Sequence, residues 1–225
     1  MRNEPTASVS RPSQPQPSLT WPSLSRRSVM AGLSTSVIGI GVAALGFVRP
    51  AFALDVDSAK VLIGKLVAEI NTVINSGASE QSMYGTFETI FRRYADVPII
   101  AQSALGVAAR SATPAQMTAF TAAFQGYISR KYGSRFREFI GGEIEVKDAR
   151  QVKSFYEVIS TAYLKGQSPF EVRWHVSDKS GRDLFFNMII EGVNMVATER
   201  TEIGALLDQR GGDINKLTAD LRGLG

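Results

Sequence analysis

The 225-residue chain has no cysteine and only one histidine, His175. The first absence excludes disulfides, thiolate nucleophiles and cysteine-ligated metals. The second excludes a multi-histidine zinc site and any relay that needs two imidazoles. A glycine-rich phosphate loop, a G-x-S-x-G elbow, an H-E-x-x-H pair and a calcium-loop pattern are also missing. Aspartates and glutamates are scattered, and spacing sets no pair for glycoside chemistry. The expectation is a protein without metal, cofactor or catalytic residues. A small enzyme using Asn187, Glu191 or His175 on an apolar substrate stands as the alternative.

What the chain does have begins with an export-like segment. Residues 1–24 are rich in Pro, Ser and Gln and show no apolar periodicity. Arg26-Arg27 then precede Val29–Val48, which is uncharged, and Ala51-Phe52-Ala53 supplies the small-x-small pattern of a signal-peptidase site. Paired arginines ahead of a mildly apolar stretch resemble a twin-arginine export signal. Residues 1–53 are therefore expected to be a signal with a disordered extension, cleaved after Ala53, with delivery to the periplasm. A retained anchor is the alternative, because twenty uncharged residues can span a bilayer.

Cleavage changes the charge. The whole chain carries 25 basic and 21 acidic residues, a net +4. Losing Arg2, Arg11, Arg26, Arg27, Arg49 and Glu4 leaves 20 of each sign. The basic excess thus belongs to the export segment, and nucleic-acid binding is not expected. Residues 54–225 are enough for one core, burying roughly 70% of the unfolded surface.

The first part of that domain reads as helices. Asp57 is expected to cap a helix carrying Val61, Leu62, Leu66, Ile70, Val73 and Ile74. A second helix spans about 83–94, and a third runs from Pro98 to about Arg110. Thr113-Pro114-Ala115-Gln116 is the sharpest local signal, a capping box with Pro at the first helical position. The helix it starts carries Met117, Phe120, Phe124, Tyr127 and Ile128, and is expected to continue through Phe136 to Gly141-Gly142.

Beyond Glu143 the period changes to two. Strands are expected at 143–149, 154–164, 170–176 and 183–190, the last with Leu184, Phe186, Met188 and Ile190 in step. Two helices, 195–209 and 213–221, close the chain. The fold class is α+β: a four-stranded antiparallel sheet covered on one face by helices, with an N-terminal helical half and two C-terminal helices. No heptads appear, and a monomer is expected. The bulky apolar side chains at these spacings ordinarily build a filled core, and the sequence alone does not distinguish that from a hollow one.

Two stretches go beyond pattern. Leu105-Gly106, Thr113-Pro114-Ala115-Gln116, Phe120-x-x-x-Phe124, Tyr132 and Gly142-Glu143 form the first. Asn187-Met188-Ile189-Ile190-Glu191-Gly192-Val193-Asn194-Met195, followed by Arg200, forms the second. In this order, over roughly residues 57–222, the chain resembles the toluene-tolerance/MlaC family. Asn187 stands where the family has Asp, Asn194 where it has Ser, Glu199 where it has Tyr, and Arg182 where it has Trp.

The resemblance implies a periplasmic carrier that holds a lipid between helices and sheet and makes transient membrane contact. In one branch the cargo is phospholipid, exchanged with an inner-membrane ABC transporter complex and an outer-membrane lipoprotein complex. A hopanoid-associated branch has the same fold. The expected lining is Val172, Trp174, Leu184, Phe186 and Met188 on strands, facing Met117, Phe120, Phe124 and Ile128 on the capped helix. Gly192 is expected to set the corner after the last strand, with Glu191 pairing Arg200 across it. The alternative for these two charges is contact with a headgroup or a partner. An assembly factor with a filled core is the remaining reading.

Overall fold

In the computed structural model the described residues are 54–133 and 138–225. They lie in one of two units, Pro50–Gly225; the other, Met1–Arg49, lies outside them, as do the proposed cleavage site and Phe136.

Helix α1 (Val56–Ile74) starts at a capping box two residues earlier than expected. The Asp55 carboxylate accepts from the Ser58 N–H at 2.7 Å, and the Asp55 N–H donates to the Ser58 hydroxyl at 2.8 Å. Two otherwise orphaned donors are thereby satisfied, which makes Asp55, not Asp57, the cap. The buried stripe is Ile63, Leu66, Ile70 and Ile74, while Val61 faces solvent at 55% exposure. Helix α2 (Glu80–Tyr94) follows, then α3 (Val97–Leu105), which continues as a 3-10 turn over Gly106–Arg110. Helix α4 (Pro114–Gly133) begins as its sequence dictates: the Thr113 N–H donates to Gln116 Oε1 at 3.0 Å, and the Gln116 N–H to Thr113 Oγ1 at 3.2 Å.

The strands are β1 (Glu143–Val152), β2 (Phe155–Tyr163), β3 (Phe170–Ser177), β4 (Leu184–Ile190) and β5 (Val193–Asn194). They pair antiparallel in the order β1-β2-β3-β4-β5. The sheet therefore has five strands where four were expected, because a two-residue strand is too short to leave a period in the sequence. Glu191 and Gly192, at φ +50° and +82°, form the two-residue turn between β4 and β5. Left-handed backbone at both central positions matches the twist of a tight hairpin. Helices α5 (Met195–Gln209) and α6 (Ile214–Leu221) complete the chain.

Helix α1 lies along β1 and β2, and α3 and α5 reach β4. Helix α4 packs mainly on α2, α3 and α6. One polar side chain ties helix to sheet: Asn71 donates from Nδ2 to the Ile144 carbonyl at 2.9 Å and accepts the Ile144 N–H at 3.0 Å. It thereby pairs with the backbone of β1 as a neighbouring strand would.

A bulge in β4 decides which side chains face the helices. His175 pairs with Asn187 but Val176 pairs with Phe185, so Phe186 is an extra residue. Met188 and Ile190 keep the face of Trp174 and Val172, and beyond the bulge that face is occupied by Phe185. Phe186 points the other way, its ring 5.6 Å from Phe155 and 5.8 Å from His175. The expected alternation of Leu184 and Phe186 with Met188 fails for this reason, since one inserted residue inverts the phase.

Candidate functional site

Between sheet and helices are two adjoining chambers of about 140 and 590 Å³. Ile70, Tyr132, Trp174, Met188 and Met195 belong to the walls of both. The smaller chamber is lined by Leu66, Phe87, Ile90 and Phe91 on the helical side and by Phe185 on the sheet. The larger one is bounded by Phe139, Ile144, Phe170, Val172 and Ile190, with polar groups at Gln167, Glu191, Thr198 and Glu202.

Trp174 is the shared floor. It is 4% exposed, and its indole N–H donates to the hydroxyl of Ser160, a residue with no exposed surface, at 3.0 Å. With its one polar group satisfied, the ring offers a purely apolar face. Phe185 stands edge-on to it at 5.4 Å and leans on Phe91 at 6.1 Å. The position of Phe185 is held by the backbone, because its carbonyl accepts the Asp96 N–H at 2.8 Å where α2 turns into α3.

Of the residues expected on the lining, Ile128, Val172, Trp174 and Met188 are in the chamber walls. Phe120 and Phe124 are not: both have zero exposure and stack on each other at 5.7 Å inside the helical core. Met117 packs against that core, and Leu184 is buried without touching either chamber. The reason is the placement of α4, whose first turns face other helices and whose last turns alone reach the cavity. Phe185, Ile70 and Met195 were missed; a helix residue in the first stripe and a Met in the second family-like stretch were the available signals.

The expected Glu191–Arg200 pair does not form among the described residues. Glu191 stays at the hairpin on the wall of the larger chamber. Arg200 lies over Gly106 at the end of α3, where φ is +66° and an added methyl would sit 3.0 Å from the guanidinium Nε. A cation there complements the carbonyl end of the helix dipole.

The buried acid is the neighbour, Glu199, and its partners are half-buried. It is 3% exposed, and its Oε1 accepts from Lys131 Nζ at 2.7 Å and from the Tyr132 hydroxyl. Lys131 also bonds Glu202. Burial works against the lysine's charge, but the two carboxylates outweigh it and hold its pKa above the ordinary lysine value. Burial and the bond to Glu199 push the Tyr132 phenol up.

Two of the departures from the family pattern keep an acceptor in place. Asn194 Oδ1 accepts the Ala197 N–H at 3.0 Å and caps α5, and Asn187 Oδ1 takes the Val196 N–H at 3.3 Å. His175 lies on the far side of the sheet from the chambers, 3.3 Å from the buried carboxylate of Glu157, which Arg150 also holds. Burial lowers its pKa, with Glu157 opposing. His175 and Glu191 therefore share no site. Among the described residues no group of three or more His, Asp or Glu could hold a metal ion, and no helix is long and apolar enough to cross a membrane.

A meander sheet and a helical layer parted by an apolar hollow define a receptacle for an apolar ligand within an α+β fold. The sequence model of the MlaC protein family matches residues 64–223, and the chain belongs to that family. A solved structure described as the phospholipid-binding protein from Ralstonia solanacearum, in complex with a phospholipid, shares the fold at TM-score 0.61. It is 19% identical, and the match covers 72% of this chain and 98% of that one.

Proposed function

We propose that this protein is a periplasmic lipid carrier, exported through residues 1–53 and cleaved after Ala53. It shelters acyl tails in the two chambers and moves phospholipid between the inner and outer membranes. It exchanges that lipid with an inner-membrane ABC transporter complex and an outer-membrane lipoprotein complex. The observation that carries the reading is the cavity itself: two chambers share walls of Ile70, Trp174, Met188 and Met195, floored by an indole whose polar edge is tied back to Ser160. The phospholipid in the Ralstonia relative supports the choice of cargo.

The energetics explain why such a hollow suffices. Each methylene taken from water contributes about 0.8 kcal/mol, so a diacyl lipid with on the order of 30 methylenes carries roughly 24 kcal/mol of gross apolar transfer. Enclosing the tails lowers that barrier without any covalent step. The larger chamber is smaller than the roughly 1,000 Å³ at the upper end of ordinary ligand pockets. Two full tails therefore require the walls to part, and Met188 and Met195, with flexible thioethers, are suited to yield. The test is transfer of labelled phospholipid from donor to acceptor vesicles. Catalytic amounts of the protein should accelerate it, and an unchanged rate would contradict the proposal. A polycyclic hopanoid moving faster than phospholipid would redirect the choice of cargo.

A further inference from the structure

The hollow has depth along the sheet as well as width between sheet and helices. Three successive pairs on β3 and β4 face the helices: Val172 with Ile190, Trp174 with Met188 and, past the bulge, Val176 with Phe185. The first pair lines the larger chamber, the second lines both, and Phe185 lines only the smaller. The chambers therefore follow one another along the strands. In the smaller one the polar side chains of the described wall are tied elsewhere. Ser129 donates to the Gln125 carbonyl at 2.9 Å, and Asn187 Oδ1 accepts the Met188 and Val196 N–H groups. Tyr132 donates to Glu199 Oε1, and Glu199 Oε2 has almost no accessible surface. Such a space suits the methyl end of a chain and nothing that needs a hydrogen bond.

At Phe185 sheet and helices meet directly. Its carbonyl accepts the Asp96 N–H at 2.8 Å, and Ala95 bridges to it as a short parallel strand would. Asp96 in turn caps α3 through the Ile99 N–H. Ala95 and Asp96 are both 3% exposed, so moving Phe185 aside would break a backbone bond away from water. The ring itself is wedged between Trp174 and Phe91, at 5.4 and 6.1 Å.

We propose that Phe185 is the stop that sets how long an acyl tail this carrier accepts. This rests on the carrier reading above. The walls yield in width at Met188 and Met195, whose thioethers turn easily, but they do not yield in depth at a side chain whose backbone is pinned. A tail that ends short of Phe185 exchanges bilayer for protein with little change in apolar exposure. Each methylene too many either stays in water or displaces packed atoms, and binding falls by up to about fourfold for each.

The experiment incubates the purified protein with fluid phosphatidylcholine vesicles carrying equal trace amounts of phosphatidylethanolamines, each with two identical saturated tails of twelve to twenty carbons. The protein is then re-isolated, and its bound tail lengths are counted by mass spectrometry against the vesicle composition. For the wild type the ratio should hold steady up to one length and then fall, by up to about fourfold for each further methylene. Phe185→Ala should move that break to longer tails and Phe185→Trp to shorter ones, with total lipid per protein kept. A Phe185 that only stabilises the fold would alter the urea midpoint and leave the break in place. Phe185→Leu, a smaller cut, takes over if Phe185→Ala does not fold. A wild-type profile without a break, or a break that the Phe185 variants leave unmoved, would overturn the proposal. Failure to bind lipid of any length overturns the carrier reading instead, so the two failures are distinguishable.

Discussion

Phe124 and Met188 are both expected from the sequence on the lining of an apolar pocket, yet the structure gives them opposite duties, and a pair of substitutions separates these. Phe124 has no exposed surface, stacks on Phe120 at 5.7 Å and touches neither chamber. Truncating a fully buried phenylalanine to alanine costs about 3–5 kcal/mol through lost transfer energy and the void left behind. With a urea dependence of about 2 kcal/mol per molar, Phe124→Ala should lower the unfolding midpoint by about 2 M. The fraction that remains folded should carry as much lipid as the wild type. Met188 is half-buried and belongs to both chamber walls. Met188→Trp adds bulk into existing space instead of packed atoms, so stability should change by no more than about 1 kcal/mol. Bound lipid per protein should fall severalfold. Urea titration followed by tryptophan fluorescence, together with lipid counts on the folded species, measures both. Loss of lipid from stable Phe124→Ala, or full lipid in Met188→Trp, would refute this division between core and cavity.

Other expectations follow from single contacts. Asn71→Leu leaves the Ile144 N–H and carbonyl without the partner that spans helix and strand, and should cost roughly 1–3 kcal/mol in urea unfolding. Gly106→Ala forces a side chain to φ +66° against Arg200 and should cost about 1–2 kcal/mol, again read from the urea midpoint. His175 has its pKa lowered in the fold from the ordinary 6.5, chiefly by burial. The unfolded chain therefore takes the proton first. The stabilising contribution of neutral His175 is complete above about pH 6.5 and is lost as pH falls towards the folded value. His175→Gln should flatten that part of the stability–pH curve, and an unchanged slope would count against the assignment.

The readability of this fold in its sequence follows the range of the forces involved. The Thr113–Gln116 box and the Asn194 cap are decided within four residues, so the start of α4 and the bounds of α5 are legible from residue types alone. The phase of β4 is not, because alternation carries no sign of the extra residue at Phe186, and every side chain beyond it changes face. Phe120 and Phe124 show the same gap in a helix: spacing tells that they are buried, but only the packing of α4 on α2, α3 and α6 tells against what. Glu199 meets Lys131 and Tyr132 across more than sixty residues, and no local pattern announces such a bond. Arg200, next to it, was expected to pair with Glu191 and instead lies on Gly106.

The central claim is that the space between sheet and helices shelters lipid tails. It is tested most directly by mass spectrometry of an organic extract from the folded protein, purified from the cells that naturally make it. The account predicts lipid in stoichiometric amount, displaced when Met188 is replaced by tryptophan. An extract containing no lipid, from protein that also takes none up from vesicles, would contradict it.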